Sequence, residues 1–179
     1  MAQKQIFQLK VTLMYFDPVI WRRIQVERDT TLPDLHDILQ ITMGWTDSHL
    51  HHFVHKRKIY GEDDPWTFDR INVYDDVKLD DLLKRSQSKL IYEYDFGDSW
   101  RHEILLEKML SKDASGRYPV CIDGENACPP EDCGGVWGYE RLLEIIKDPE
   151  HEEYHDWLEW LGEDFDPAAF DIEVVNECL

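Results

Sequence analysis

Residues 89–110 read KLIYEYDFGDSWRHEILLEKML, and this stretch decides the fold. Leu90, Tyr92 and Tyr94 alternate with Ile91, Glu93 and Asp95. Past Gly97, Trp100, His102, Ile104 and Leu106 alternate with Arg101, Glu103 and Glu107. Successive side chains on a strand point to opposite faces, so a period of two marks a strand with one apolar face. Two such runs joined by a glycine-containing loop predict an antiparallel hairpin.

The same period recurs nearer the N-terminus. Phe7, Leu9, Val11, Leu13 and Tyr15 alternate with Gln8, Lys10 and Thr12, "FDP" turns the chain, and "VIWRRIQVE" reads as a second strand. Residues 6–26 are therefore predicted to form another antiparallel hairpin. A helix follows: Thr31 and Asp34 have capping-box spacing, Pro33 sits in the first turn, Leu35, Ile38, Leu39 and Thr42 share a face, and Gly44 is a natural stop. "HLHHFVHKRKIYG" (49–61) reads as one strand with a basic tip at Lys56, Arg57 and Lys58; residues 61–76 read as loop and "KLDDLLKRS" as a short helix. "CIDGENACPPEDCGGVWGYE" (121–140) has no period and reads as a long ordered loop. "GYERLLEIIK" and "PEHEEYHDWLEWLG" then read as two helices, and "FDPAAF" as a short turn. Strands come early and helices late, without βαβ alternation. The expectation is an α+β fold: one compact domain over residues 1–179, mainly antiparallel sheet, with an N-terminal hairpin, one early helix and a C-terminal helical section.

Composition narrows the function classes. With 42% hydrophobic residues and seven tryptophans, the chain can build a sizeable core. Its formal net charge is -19, and ten acids against one lysine lie between Glu144 and Asp166. Such a balance opposes a grip on phosphate backbones and favours cations, a basic partner, or a solvated helical face. The start "MAQKQIFQLK" lacks the apolar core of a signal peptide, and no run approaches the roughly 18 apolar residues of a membrane span. A cytoplasmic protein with reduced thiols and no membrane contact is expected.

Three clusters can carry chemistry. Cys121, Cys128 and Cys133 lack the tight C-x-x-C pair of a zinc knuckle, but Cys121, Cys128, His151 and His155 can be drawn as a zinc tetrahedron. The alternative is a rigid turn shaped by proline and glycine, with cysteines packed as small hydrophobes. In "HLHHFVH", His49 and His51 project to one side of a strand and can chelate a transition metal; otherwise they are solvated or bonded to nearby acids. In "YDFGDSWRH", Asp95 and Asp98 bracket Gly97, either as turn-forming acids or as cation ligands together with Glu131 and Asp132. His102 shares its strand face with Trp100, as a core histidine or a site residue. The "DFG" triplet lacks every other kinase segment, and no nucleophile elbow, phosphate loop or dinucleotide fingerprint occurs.

Together, "PVIWRRIQV", "TLPDLHDILQ", "MGWTDSHLHHF", "YEYDFGDSWRHEILLE", "YPVCIDGENACPPEDCGGVWGYERLLE", "DPEH" and "FDPAAFD" resemble the plasmid pRiA-type third-ORF-like family, also labelled transposon passenger or TnpR-like. The resemblance covers nearly the whole chain and implies a compact α+β domain with no established activity. It carries the family's marked positions onto Trp21, Arg22, Arg23, His36, Trp45, His49, His51, Tyr94, Asp95, Gly97, Asp98, Trp100 and His102. In the later part it carries them onto Cys121, Cys128, Pro129, Pro130, Glu131, Asp132, Gly134, Gly135, Tyr139 and His151. One position departs: where the pattern has a second histidine three residues after the first, this chain has Tyr154, with His155 one later.

The leading expectation is a module binding an unknown protein or small-molecule partner through Asp95, Asp98, Trp100, His102, Glu131 and Asp132. One alternative is a metal-dependent, hydrolase-like enzyme, its metal (zinc the natural candidate) held among His49, His51, Cys121, Cys128 and His151. The other is a nucleic-acid accessory of mobile elements using "HKRK" and Arg22/Arg23, which the acidic charge opposes.

Overall fold

A computed structural model describes residues 5–62, 71–162 and 164–179. The hairpin of the opening stretch becomes β6 (Lys89–Tyr94) and β7 (Trp100–Ser111), paired antiparallel with Tyr92 opposite His102 and Tyr94 opposite Trp100. The N-terminal hairpin is β1 (Gln5–Leu13) and β2 (Trp21–Glu27), and β1 lies beside β7, so the two hairpins share one sheet. Among the described residues its eight strands run in the order β5-β4-β3-β6-β7-β1-β2-β8, antiparallel except where β4 meets β5.

One face of the sheet is covered. Leu9, Val11, Ile24, Leu90, Tyr92, Tyr94, Trp100, His102, Ile104 and Leu106 point into the core, where α1 (Leu32–Met43) presses Leu32, Leu35, Ile38 and Leu39 against them. Helix α1 starts and stops as its sequence dictates. Thr31 and Asp34 form the capping box, and Gly44 ends the helix at φ 83°, a left-handed conformation that favours glycine. The other face carries ion pairs, chiefly Arg23 between Glu107 (2.8 Å) and Asp123 (2.6 Å), and Lys89 with Glu103 (2.7 Å). Arg22, one residue away, points inward and is 3% exposed. The two adjacent arginines therefore present no common basic patch.

Four elements depart from the sequence expectation. Residues 49–61 fold back at Lys56 and Arg57, both at positive φ, into β3 (His51–His55) and β4 (Lys58–Gly61). The expected loop over 61–76 falls partly outside the described residues, and its described end supplies β5 (Ile71–Val73). The cysteine stretch is not loop throughout: β8 (Val120–Glu125) pairs with β2 at the sheet edge, where only Cys121 is buried and no alternation is required. Beyond "FDPAAF", α5 (Ile172–Cys178) is capped by Asp171 and docked by Asn176, which bonds the Cys121 amide and carbonyl at 2.8 Å each. Helices α2 (Leu79–Leu82), α3 (Gly135–Ile145) and α4 (Tyr154–Leu161) fall where helices are expected, α4 starting five residues later than "PEHEEYHDWLEWLG" implies. Among the described residues no helix is long and apolar enough to cross a membrane.

Candidate functional site

Three connections converge over one end of the covered face: the α1–β3 segment, the β6–β7 turn and the 126–134 loop. Trp45 is buried, stacks on Tyr94 with ring centroids 4.9 Å apart, and donates from Nε1 to the Pro129 carbonyl at 2.9 Å. Glu131 clamps the loop. One oxygen accepts from Thr46 Oγ1 (2.5 Å) and from the Thr46 amide (3.3 Å), and the other accepts from Tyr94 Oη. Burial, aided by Glu131, pushes the Tyr94 phenol well above its ordinary range, so it remains the donor.

The β6–β7 turn is fastened by its own acids. Asp95 Oδ1 accepts from the amides of Gly97 (2.8 Å) and Asp98 (3.3 Å), and Asp98 Oδ2 accepts from the Gly134 amide at 3.1 Å, just before α3. Gly135 packs so tightly on this turn that a Cβ there would lie 2.5 Å from the Asp98 carbonyl oxygen. These bonds leave Asp95 Oδ2 free to face elsewhere. It looks toward His49 Nε2, 3.8 Å away, and Asp132 Oδ1 approaches the same nitrogen at 3.2 Å. His49, Asp95 and Asp132 thus present three donor atoms all within 4.8 Å of one another. Asp95 and Asp132 both hold left-handed backbone, at φ 56° and 59°, a conformation aspartate tolerates better than most residues. His49 Nε2 is shielded from solvent yet forms no well-directed hydrogen bond to either carboxylate. Asp95 is buried, whereas the Asp132 side chain is 71% exposed, so the cluster opens outward on one side.

His51 belongs elsewhere. Its ring stacks on that of His36, centroids 3.5 Å apart and planes within 5°. His36 Nδ1 bonds Tyr92 Oη (2.8 Å), His36 Nε2 bonds Asp47 (2.9 Å), Gln40 donates to Tyr92 Oη (2.9 Å), and His51 Nε2 bonds Tyr74 Oη (2.9 Å). His36, Asp47 and His51 also lie within 4.8 Å, but face-to-face imidazoles do not aim their in-plane lone pairs at one ion. Burial, then the neighbouring His36, lowers the His51 pKa to about 4 and keeps it neutral. The i, i+2 spacing of His49 and His51 does not make a chelate, because β3 begins only at His51 and His49 lies in the preceding segment.

The cysteines and His151 do not gather. Cys121 sits in β8 with its thiol toward the Asp123 carbonyl (3.5 Å), and burial pushes the Cys128 and Cys133 thiols up, Cys133 to about 12. His151 Nδ1 accepts the Glu153 amide at 3.1 Å and helps start α4. Among the described residues no cluster of metal-ligand type includes a cysteine or His151. Trp100 and His102 are fully buried beneath Trp45, with centroids 6.2 and 5.3 Å from its ring. The polar network partners Gln40, Asp47 and Tyr74 escaped sequence reasoning, since only the folded sheet places them beside His36 and His51.

The family model described as plasmid pRiA4b ORF-3-like protein matches residues 5–174. A relative from Sinorhizobium fredii, the uncharacterized protein y4hQ, is 35% identical over 176 residues, covering 97% of this chain and 90% of its own. The crystal structure of MM3350, a protein of unknown function from Methanosarcina mazei Go1, superposes with a TM-score of 0.86 at 41% identity, covering 96% of this chain and 98% of that one.

Proposed function

This chain belongs to the plasmid pRiA4b ORF-3-like family, and from that premise we propose that it is a binding module whose ligand is held through a divalent cation at His49, Asp95 and Asp132. The observation that carries the reading is His49 Nε2: sealed from water, set between two carboxylate oxygens, and in a hydrogen bond with neither. A cation bound there would accept the lone pair and both charges together. One imidazole and two carboxylates suit a borderline-hard ion such as zinc or manganese. Three protein donors leave coordination positions open on the Asp132 side for a ligand. Leu50 and Phe96, both exposed, flank the turn, and the Leu50 carbonyl accepts the Asp95 amide at 2.9 Å, so an organic ligand meets an apolar rim. Glu131 and Asp98 act as fasteners of the loop and turn.

Open positions beside a carboxylate-rich wall also suit metal-assisted hydrolysis, which is the second reading. Calorimetric titration of chelator-stripped protein with Zn²⁺ and Mn²⁺ tests the first. One ion per chain, lost in Asp132→Ala, is the expected result; wild-type protein that shows no saturable binding removes both readings. Turnover of simple phosphate or carboxylate esters by the metal-loaded protein, absent from Asp132→Ala, would put the second ahead.

A further inference from the structure

Two tryptophans of the C-terminal helices lie on the surface and take no part in the His49 cluster. Trp137 on α3 is 84% exposed, and Trp160 on α4 is 49% exposed. A lone exposed apolar side chain is ordinary, whereas a contiguous set marks a surface that something else covers.

A series of contacts joins the two. Trp137 and Arg141 stand four residues apart on α3 and share a face of that helix. Arg141 Nη2 donates to Glu153 Oε1 at 2.6 Å, and Glu153 Oε2 accepts from Trp157 Nε1 at 3.2 Å. The Trp157 ring then meets that of Trp160 edge-on, with centroids 5.3 Å apart. Trp157 packs against the core and anchors the strip, while Trp160 stands out from it.

The surroundings of this strip are acidic. Residues 135–161 hold eight acids against two bases, and one of the bases, Arg141, is already paired with Glu153. Glu144 lies two turns along the Trp137 face of α3, and Asp156 and Glu159 flank Trp160 on α4. All three are exposed and, among the described residues, form no ion pair. Trp21 is treated differently. Lys10 Nζ lies 4.6 Å and Arg23 Cζ 4.8 Å from its ring centroid, so the chain covers that indole with its own cations. Among the described residues no cation stands over Trp137 or Trp160.

Open indole faces beside unpaired carboxylates select one kind of partner. A purely apolar segment would desolvate the carboxylates without compensating them. A guanidinium group suits both features, because it stacks flat on an aromatic ring and forks its donors to a carboxylate. The net charge of -19 attracts a basic segment over distance and opposes a second copy of this chain.

We propose that the α3–α4 face bearing Trp137 and Trp160 docks an arginine-rich segment of a partner protein. Guanidinium groups stack on the two indoles and pair with Glu144, Asp156 and Glu159.

Fluorescence anisotropy of labelled octa-arginine and octa-lysine peptides tests this on the full chain at physiological ionic strength. A chelator is present throughout, so the readout is independent of the His49 cluster. Octa-arginine is expected to bind saturably and more tightly than octa-lysine. Trp137→Ala and Trp160→Ala leave the charge unchanged, and each should weaken octa-arginine binding about 10-fold. Two double variants separate place from net charge. Asp156→Asn/Glu159→Gln should weaken binding, whereas Asp29→Asn/Asp37→Asn, which removes as much charge from exposed positions in and before α1, should not. The proposal is overturned by any of four results: no saturable binding, equal affinity for the two peptides, tryptophan variants that bind like wild type, or equal losses in the two double variants. Sedimentation that shows a dimer dissolved by Trp137→Ala would assign the face to a second copy and overturn it as well.

Discussion

His49 and His51 are separated by one residue and end in opposite kinds of environment. His51 enters a closed network: its ring is stacked on His36, its Nε2 is bonded to Tyr74, and His36 is in turn held by Tyr92 and Asp47. His49 enters an open one, where its Nε2 lies near two carboxylates and is directed at neither. The first arrangement engages both ring nitrogens of His36 and one of His51, and it rigidifies the core. The second leaves His49 Nε2 for something else, and that separates a structural histidine from a ligand better than the number of nearby titratable groups, since each cluster gathers three.

The contrast breaks most sharply at Asp95. Asp95→Asn keeps an oxygen for the Gly97 and Asp98 amides but removes the charge facing His49. Affinity for Zn²⁺ or Mn²⁺, read by calorimetry, should fall by more than about 100-fold, beyond the loss expected for an outer-shell partner. Urea unfolding of the same variant should change little. Tyr92→Phe should do the reverse. It strands His36 Nδ1 and Gln40 Nε2 in the core and should cost about 1–3 kcal/mol in urea unfolding, with metal affinity unaltered.

A smaller effect separates the clusters by pH. His51 is held at about 4 in the folded chain and titrates near 6.5 when unfolded. The unfolded state therefore binds more protons in that interval. Its contribution to stability is complete above about pH 6.5 and is lost as pH falls toward 4. His102, held at about 3, extends the loss to lower pH. Glu107 is shifted in the same direction for a different reason, lowered from 4.5 chiefly by its hydrogen bond with Arg23, so its contribution disappears only below that value. Denaturation midpoints should thus decline between pH 6.5 and 5 before carboxylates matter, and His51→Gln should flatten that decline. The smallest effect is expected of Glu131→Gln, which weakens the clamp on Thr46 and Tyr94. Faster amide exchange confined to residues near 126–134, with a stability change under about 1 kcal/mol, would check it.

Much of this was readable in the chain itself. Both hairpins and α1 announce themselves because one face of each is buried, which imposes a period of two or an apolar stripe between caps. β8 and α5 do not, because an edge strand with one buried residue and a seven-residue helix with none need no pattern. Asp95, Asp98, Glu131 and Asp132 stand close together in the fold, as the two acid-rich turns of the sequence suggest. That His49 joins them and His51 does not was not readable, since it depends on the strand beginning one residue after Leu50. The roles of Trp100 and His102 depend on what lies over the sheet, which no local pattern encodes.

The most direct test of the account compares His49→Ala with His51→Ala in the same Zn²⁺ titration of chelator-stripped protein. Loss of binding in His49→Ala, with His51→Ala binding like wild type although less stable, is the predicted result. Equal loss in both variants, or binding that survives His49→Ala, would contradict it.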